Sequence, residues 1–316
     1  MPLTDLVHYL NTRNREQYGL PLTREDGLIN RHDHILGRFA DLNLSSVFQP
    51  IVDTRSGRVS GHEALLRAHT AQGQPLSPEA VFVLPSDATE LVFLDRLCRT
   101  LHTLNFLLQN QRQNGYLYLN VHPRHLLAVG DNHGLVFETI LKRCGVTPDN
   151  VVLEILESAI DDSPRLAEAV SNYRDRGYRI AVDDFGRHSS NFDRLWQLSP
   201  DVVKIDRHLL VRAEQDDRAR RLLPKLVELV HELNARVVIE GVETENQLAL
   251  ALGAGADQVQ GFYLARPAPH CLAVDAQLVN RDIRLPFLTA LPEDEDGPPP
   301  GKDDLPHIRS AWQAAA

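Results

Sequence analysis

Short apolar runs, each closed by an acidic, amide or basic side chain, alternate along the chain with longer segments whose apolar positions fall at helical spacing. The runs are Val47-Phe-Gln-Pro-Ile-Val52, Tyr116-Leu-Tyr-Leu before Asn120, Val151-Val-Leu-Glu-Ile-Leu-Glu157, Tyr178-Arg-Ile-Ala-Val-Asp-Asp-Phe-Gly186, Val202-Val-Lys-Ile-Asp206, Val237-Val-Ile before Glu240, and Gln258-Val-Gln-Gly-Phe-Tyr263. Their length and residue types predict strands. The segments between them, 85–111, 123–142, 161–176, 208–234 and 244–253, predict helices; Leu222, Leu223, Leu226, Leu229, Val230 and Leu233 make one such stripe. Alternation of this kind predicts a parallel sheet covered by helices, and about seven strands over roughly 250 residues suit a closed α/β barrel better than an open doubly wound sheet. A dinucleotide-binding sheet would need a glycine fingerprint after its first strand. Gly253-Ala-Gly255 instead follows a predicted helix and reads as its C-cap and turn.

Outside the barrel, predicted over 44–284, the pattern changes. Residues 1–43 predict a helical extension of two helices, 4–17 and 24–42, with Thr4 and Thr23 as N-caps. His32-Asp-His34 superficially suggests a metal pair, but helical positions two apart point in different directions, so a solvated surface pair is expected. Residues 285–316 carry Glu293, Asp294, Glu295, Asp296, Asp303 and Asp304 around Pro298-Pro-Pro300, a composition that cannot bury a core and predicts a disordered tail.

With 316 residues and 43% hydrophobic content, the chain can bury one substantial core. The formal net charge of -10 argues against broad binding to a nucleic acid polymer. No apolar stretch is long enough to span a bilayer, and the amino terminus lacks the order of a secretory signal. Cys98, Cys144 and Cys271 are widely spaced and odd in number, so they form neither a disulfide framework nor a zinc ligand set. A reducing, cytoplasmic setting without membrane insertion is the expectation.

In a parallel barrel the strand ends converge on one face. Glu63, Asn120, Glu154, Glu157, Asp183, Asp184, Lys204, Asp206, Glu240, Glu243 and Gln260 would then line one pocket rich in negative charge. Carboxylates crowded together raise one another's pKa unless cations compensate, and oxygen ligands suit Mg²⁺ or Mn²⁺. The adjacent Asp183 and Asp184 suit a two-metal centre for phosphate-ester hydrolysis. Any one of these residues is more simply an N-cap or a salt-bridge partner; the whole series is not. Two local matches fail: Leu66 stands where His62-Glu63 would need the second histidine of a zinc-protease motif, and Asp184-Phe-Gly186 lacks the other kinase motifs.

Phe48-Gln-Pro-Ile-Val-Asp53 and Gly61-His-Glu-Ala-Leu-Leu-Arg67 resemble the opening of an EAL domain, the bacterial cyclic-di-GMP phosphodiesterase family, with Glu63-Ala64-Leu65 as its signature. Asn120-Val121, Glu154-Ile-Leu-Glu157, Asp183-Asp-Phe-Gly186, Lys204-Ile-Asp206, Glu240-Gly-Val-Glu243, Gln260-Gly-Phe262 and Arg266-Pro267 follow in the family's order, over about residues 44–280. The resemblance implies a TIM-like (β/α)8 barrel whose first strand is antiparallel. It implies cyclic-di-GMP as substrate and two ions of Mg²⁺ or Mn²⁺, one among Glu63, Asn120, Glu154 and Asp183 and the second at Asp183 and Asp184. Lys204 would orient the attacking water and Glu240 would act as general base or through-water ligand. Gln49, Arg67, Asp206 and Gln260 would contact substrate, Arg67 through its planar fork. Glu157 would anchor the loop after the Asp pair. A homodimer is implied as well. The chain departs from the family in that loop, where Arg187 and His188 replace a small pair and His188 strains the turn if the position needs positive φ; His122 also stands where serine is common. These departures keep open a receptor that binds cyclic-di-GMP without appreciable turnover and signals through a regulatory protein partner.

Overall fold

The structure is a computed structural model that describes residues 3–18, 26–109, 115–129, 134–160, 164–187 and 192–280. The described residues fall within one compact unit, Met1–Ile283, and the acidic tail predicted over 285–316 lies outside them. The chain opens with α1 (Leu3–Tyr18) and an antiparallel hairpin of β1 (Gly27–Arg31) and β2 (His34–Phe39). There follow β3 (Leu42–Asp53), β4 (Val59–His69), β5 (Pro75–Leu76), α2 (Pro78–Val83), α3 (Ala88–Leu107), β6 (Tyr116–Asn120), α4 (Pro123–Ala128), α5 (Leu135–Cys144), β7 (Val151–Leu156), α6 (Pro164–Asp175) and β8 (Arg179–Phe185). The remainder runs through α7 (Phe192–Leu198), β9 (Val202–Ile205), α8 (Arg207–Gln215), α9 (Asp217–Glu232), β10 (Arg236–Ile239), α10 (Glu245–Gly253), β11 (Gln258–Val259) and α11 (Gln277–Asn280).

Strands β3, β4, β6, β7, β8, β9, β10 and β11 close a TIM-like barrel, with β3 joining β11 to β4. β3 is antiparallel to both barrel neighbours, and every other barrel pairing is parallel, as the family resemblance implies. The main core lies between the strands and the helices. A second, smaller cluster of Ile51, Tyr118, Val152, Ala181, Val202 and Val238 plugs the barrel interior. Gly61 belongs to that layer because a Cβ there would lie 2.6 Å from the Tyr116 carbonyl and 2.8 Å from the Tyr118 ring, too close for any side chain.

The second amino-terminal helix predicted over 24–42 is not formed. Leu28, Ile29, Ile35, Leu36 and Phe39 satisfy helical spacing, yet they sit on the β1–β2 hairpin. His32 turns the chain at φ 24, and the exposed His34 ring lies 2.7 Å from the neighbouring Asp33. Because β2 pairs with the start of β3, the predicted boundary at 43/44 falls inside one strand. Asn105 of α3 fastens the hairpin by accepting from the Ile35 N–H and donating to the Ile35 carbonyl, both at 2.8 Å. α1 starts one residue before Thr4, whose hydroxyl accepts from Asn30, while Thr23 lies outside the described residues. The helices predicted over 123–142 and 208–234 are each divided in two, the latter at Asp216, which caps α9 by accepting from the Arg218 N–H. At the other end of the barrel α10 closes at Gly253, and Gly255 follows at φ 84, as the turn reading requires.

One buried ionic network fixes the helical layer to a strand end. Asp95 of α3 takes a 2.9 Å bond from Arg99 Nε, lies 3.2 Å from His125 Nδ1, and accepts the His122 backbone N–H at 2.9 Å. Burial opposes the Asp95 charge, but Arg99, His125 and the His122 N–H outweigh it and hold the carboxyl below its ordinary range. The network thereby pins the turn after β6, which carries Asn120. Asp95→Ala would leave Arg99 buried without its counter-charge, and we expect a loss of about 3–5 kcal/mol in urea unfolding; a loss below about 1 kcal/mol would show that the network does not carry the layer.

Candidate active site

Side chains of a strand alternate between its two faces, so a residue two positions beyond the interior plug also points inward, one layer nearer the carboxyl-terminal mouth. That step converts the plug into the site: Tyr118 leads to Asn120, Val152 to Glu154, Ala181 to Asp183, Val202 to Lys204 and Val238 to Glu240. On the antiparallel β3 the step runs backwards, from Ile51 to Gln49. Gly61 leads to Glu63 and Gln258 to Gln260, and Tyr118 reaches Gln258 at 3.5 Å beneath them.

Lys204 stands at the centre and is 1% exposed. Its Nζ lies 2.7 Å from Glu154, 2.8 Å from Glu240, 3.1 Å from Asp183 and 3.2 Å from Glu63. Asn120 Nδ2 donates to Glu154 at 3.1 Å and to Glu63 at 3.3 Å. Gln260 Nε2 donates to Glu63 at 2.8 Å and to Gln49 at 3.4 Å, and Gln49 in turn donates to the Ala265 carbonyl.

Asp184 would face the helices if β8 ran straight. Instead the pairing with β9 shifts between Val182 and Phe185, and Asp184 takes φ 58, a conformation that Asp tolerates better than most residues. The shift brings Asp184 inward, so that oxygens of Asp183, Asp184 and Glu240 lie within 4.8 Å of one another. Gly186 follows at φ 91 against Leu209, and its N–H donates to Glu157 at 3.1 Å. Arg187 Nη1 lies 3.0 Å from Asp184 Oδ2. His188 lies outside the described residues, so the expected strain there is not described either.

The other expected contacts are more peripheral. Asp206 N-caps α8 by accepting from the His208 N–H at 2.8 Å, and Glu243 pairs with Arg207 at 2.6 Å. Arg67, half-buried, donates to its neighbour's Leu66 carbonyl. Gly61, Tyr118 and Gln258, which shape the floor, were not among the expected site residues; the two-residue alternation is the signal that identifies them.

The charges do not balance. One ammonium faces four carboxylates, with Asp184 beside them. Burial disfavours the Lys204 charge, but the surrounding carboxylates outweigh it and hold the ammonium firmly. Glu154 is pushed well up by burial and then by Glu63, Asp183 by burial and Glu63, Asp184 by burial and Asp183, and Glu240 to about 8 by burial against the pull of Lys204. A site with more carboxylate than cation, offering oxygen donors from five strands, fits hard divalent ions.

A family model for the EAL domain matches residues 34–267, and the chain belongs to that family. The chain is 26% identical over 226 residues to the probable cyclic di-GMP phosphodiesterase PdeB of Escherichia coli, covering 70% of this chain and 42% of that protein. The cyclic-di-GMP complex of the PaMucR phosphodiesterase superposes with a TM-score of 0.62 at 27% identity, covering 72% of this chain and 92% of that one. Klebsiella pneumoniae BlrP1 with calcium and cyclic-di-GMP gives 0.63 at 25% identity, covering 71% and 56%. The chain spans only 31%, 28% and 42% of three curated relatives that it matches.

Carboxyls with raised values bind protons more tightly in the folded chain than in the unfolded one. Their contribution to metal-free stability is complete below the ordinary carboxyl value and is lost as pH rises through the folded value of Glu240, about 8. Divalent ions compete with those protons. The rise in melting temperature on adding saturating Mg²⁺ to EDTA-treated protein is therefore expected to be larger at pH 8.5 than at pH 6, the underlying stabilisation being roughly 2.7 kcal/mol for a ligand at a hundred times its Kd. An absent rise, or one that shrinks with pH, would contradict a metal centre here.

Proposed function

We propose that the chain is a divalent-metal-dependent phosphodiesterase that opens one phosphodiester bond of cyclic-di-GMP to give linear pGpG. The observation that carries this reading is the four-carboxylate shell around Lys204, with Asp184 turned in beside it. The likeness to PdeB, a probable cyclic di-GMP phosphodiesterase, and to PaMucR and BlrP1, both seen in complex with cyclic-di-GMP, supports the substrate. No helix among the described residues is long and apolar enough to cross a membrane.

Glu63, Asn120, Glu154 and Asp183 would hold one Mg²⁺ or Mn²⁺, and Asp183 with Asp184 the second. The ions would neutralise the diester and acidify water. Lys204, held in place by its carboxylates, donates to the attacking water and fixes its approach. Glu240, at the mouth, would take the proton that this water gives up once bound ions have displaced its own. The water oxygen bonds to phosphorus as the P–O3′ bond breaks, and the departing 3′ oxygen takes its proton from solvent at the barrel mouth. Gln49 and Gln260 form the polar wall, with Arg67 and Asp206 as further substrate contacts. A second reading, a cyclic-di-GMP receptor with little turnover that acts through a protein partner, is favoured by the Arg187–Asp184 contact.

Incubation of the purified protein with cyclic-di-GMP and Mn²⁺, followed by chromatography, separates the two: pGpG that disappears with EDTA supports the enzyme, whereas saturable binding without product supports the receptor. Lys204→Ala is expected to keep measurable nucleotide affinity and lose about a hundredfold or more in turnover, because its interaction with the water matters in the transition state. Wild-type turnover by that variant would remove Lys204 from the mechanism.

A further inference from the structure

The turn that presents the Asp pair brings a cation of its own. Arg187 follows Gly186 directly, and its backbone N–H donates to the Asp184 carbonyl at 3.2 Å. Asp184 at φ 58 and Gly186 at φ 91 bend the chain back on itself, and the Leu209 side chain packs against Gly186. The guanidinium is thereby delivered to the carboxylate, with Nη1 3.0 Å from Asp184 Oδ2. Asp206 and Glu79 are the next carboxylates in its field. Arg187 therefore sits on Asp184, one of the three carboxylates grouped closely enough to hold an ion.

A guanidinium and a divalent ion cannot both take the same carboxylate at short range without paying for their mutual repulsion. Arg187 is 56% exposed, so the side chain is free to swing toward solvent, and an exposed pair of this kind is weak. The contact therefore tunes the site and does not block it. Resting on the metal-centre reading above, we propose that Arg187 is a tethered cation that competes with the second divalent ion for Asp184. The chain holds one ion firmly at Glu63, Asn120, Glu154 and Asp183, and admits a second only by displacing the guanidinium.

The test is Mn²⁺ binding to the nucleotide-free 316-residue chain, read from the electron paramagnetic resonance signal of free Mn²⁺ after EDTA treatment and desalting. Wild type is expected to bind one ion firmly and a second more weakly. Arg187→Ala should tighten the second ion by about three- to fivefold and leave the first unchanged, in keeping with the strength of an exposed pair. Arg187→Lys, which keeps the charge, should return the weaker second site. Asp184→Ala should abolish the second ion. Circular dichroism confirms that the variants are folded, as is expected for changes at exposed or half-buried positions. A second ion bound equally or more weakly by Arg187→Ala overturns the competition and leaves the proposed function untouched. Failure of both wild type and Arg187→Ala to bind any Mn²⁺ overturns the metal centre itself, and the inference with it.

Discussion

The Lys204 ammonium, enclosed by Glu63, Glu154, Asp183 and Glu240, is the constraint around which the rest of the molecule is arranged. Charges this deeply buried are tolerated only when they are paired and hydrogen-bonded, and removal of one partner leaves the others exposed to the full cost of desolvation. Asn120 and Gln260 supply amide donors to the same carboxylates, and Gln49 supports Gln260 from β3. The arrangement is still short of positive charge. That deficit suits the pocket to hard cations, and it is the basis of the proposed metal centre.

The geometry follows from the sheet. Parallel strands bring their carboxyl ends to one mouth, and the apolar plug of Ile51, Tyr118, Val152, Ala181, Val202 and Val238 sets the level at which the next inward side chains meet. The irregular features act where regular alternation would give the wrong result. A shift in the β8–β9 pairing and a left-handed Asp184 bring two consecutive carboxylates to one side, and Glu157 restrains the turn that follows. Outside the barrel, Asp95 holds the turn after Asn120, so a helix-layer network bears on the position of a candidate ligand.

Most of the barrel was legible because strand-end carboxylates and helical apolar stripes are local patterns. The motifs from Glu63 to Gln260 brought an ordered resemblance that composition alone could not give. The hairpin at 27–39 was not legible, since Leu28, Ile29, Ile35, Leu36 and Phe39 fit helical spacing and the turn at His32 lacks a glycine or Asn-Gly signal. The division of α8 from α9 falls at Asp216, ahead of the Leu222–Leu233 stripe that carried the helix reading, so that stripe gave no sign of it. The inward turn of Asp184 depends on backbone dihedrals, and the contact from Arg187 depends on that turn; neither has a pattern in the sequence.

If the carboxylate shell around Lys204 is a metal centre for cyclic-di-GMP, anomalous diffraction from crystals grown with Mn²⁺ and the nucleotide will show it. Anomalous peaks are expected within coordination distance of Glu63, Asn120, Glu154 and Asp183, with a phosphate oxygen of the nucleotide beside them. Nucleotide bound in the barrel mouth without anomalous density at those residues, or density only elsewhere on the chain, would contradict it.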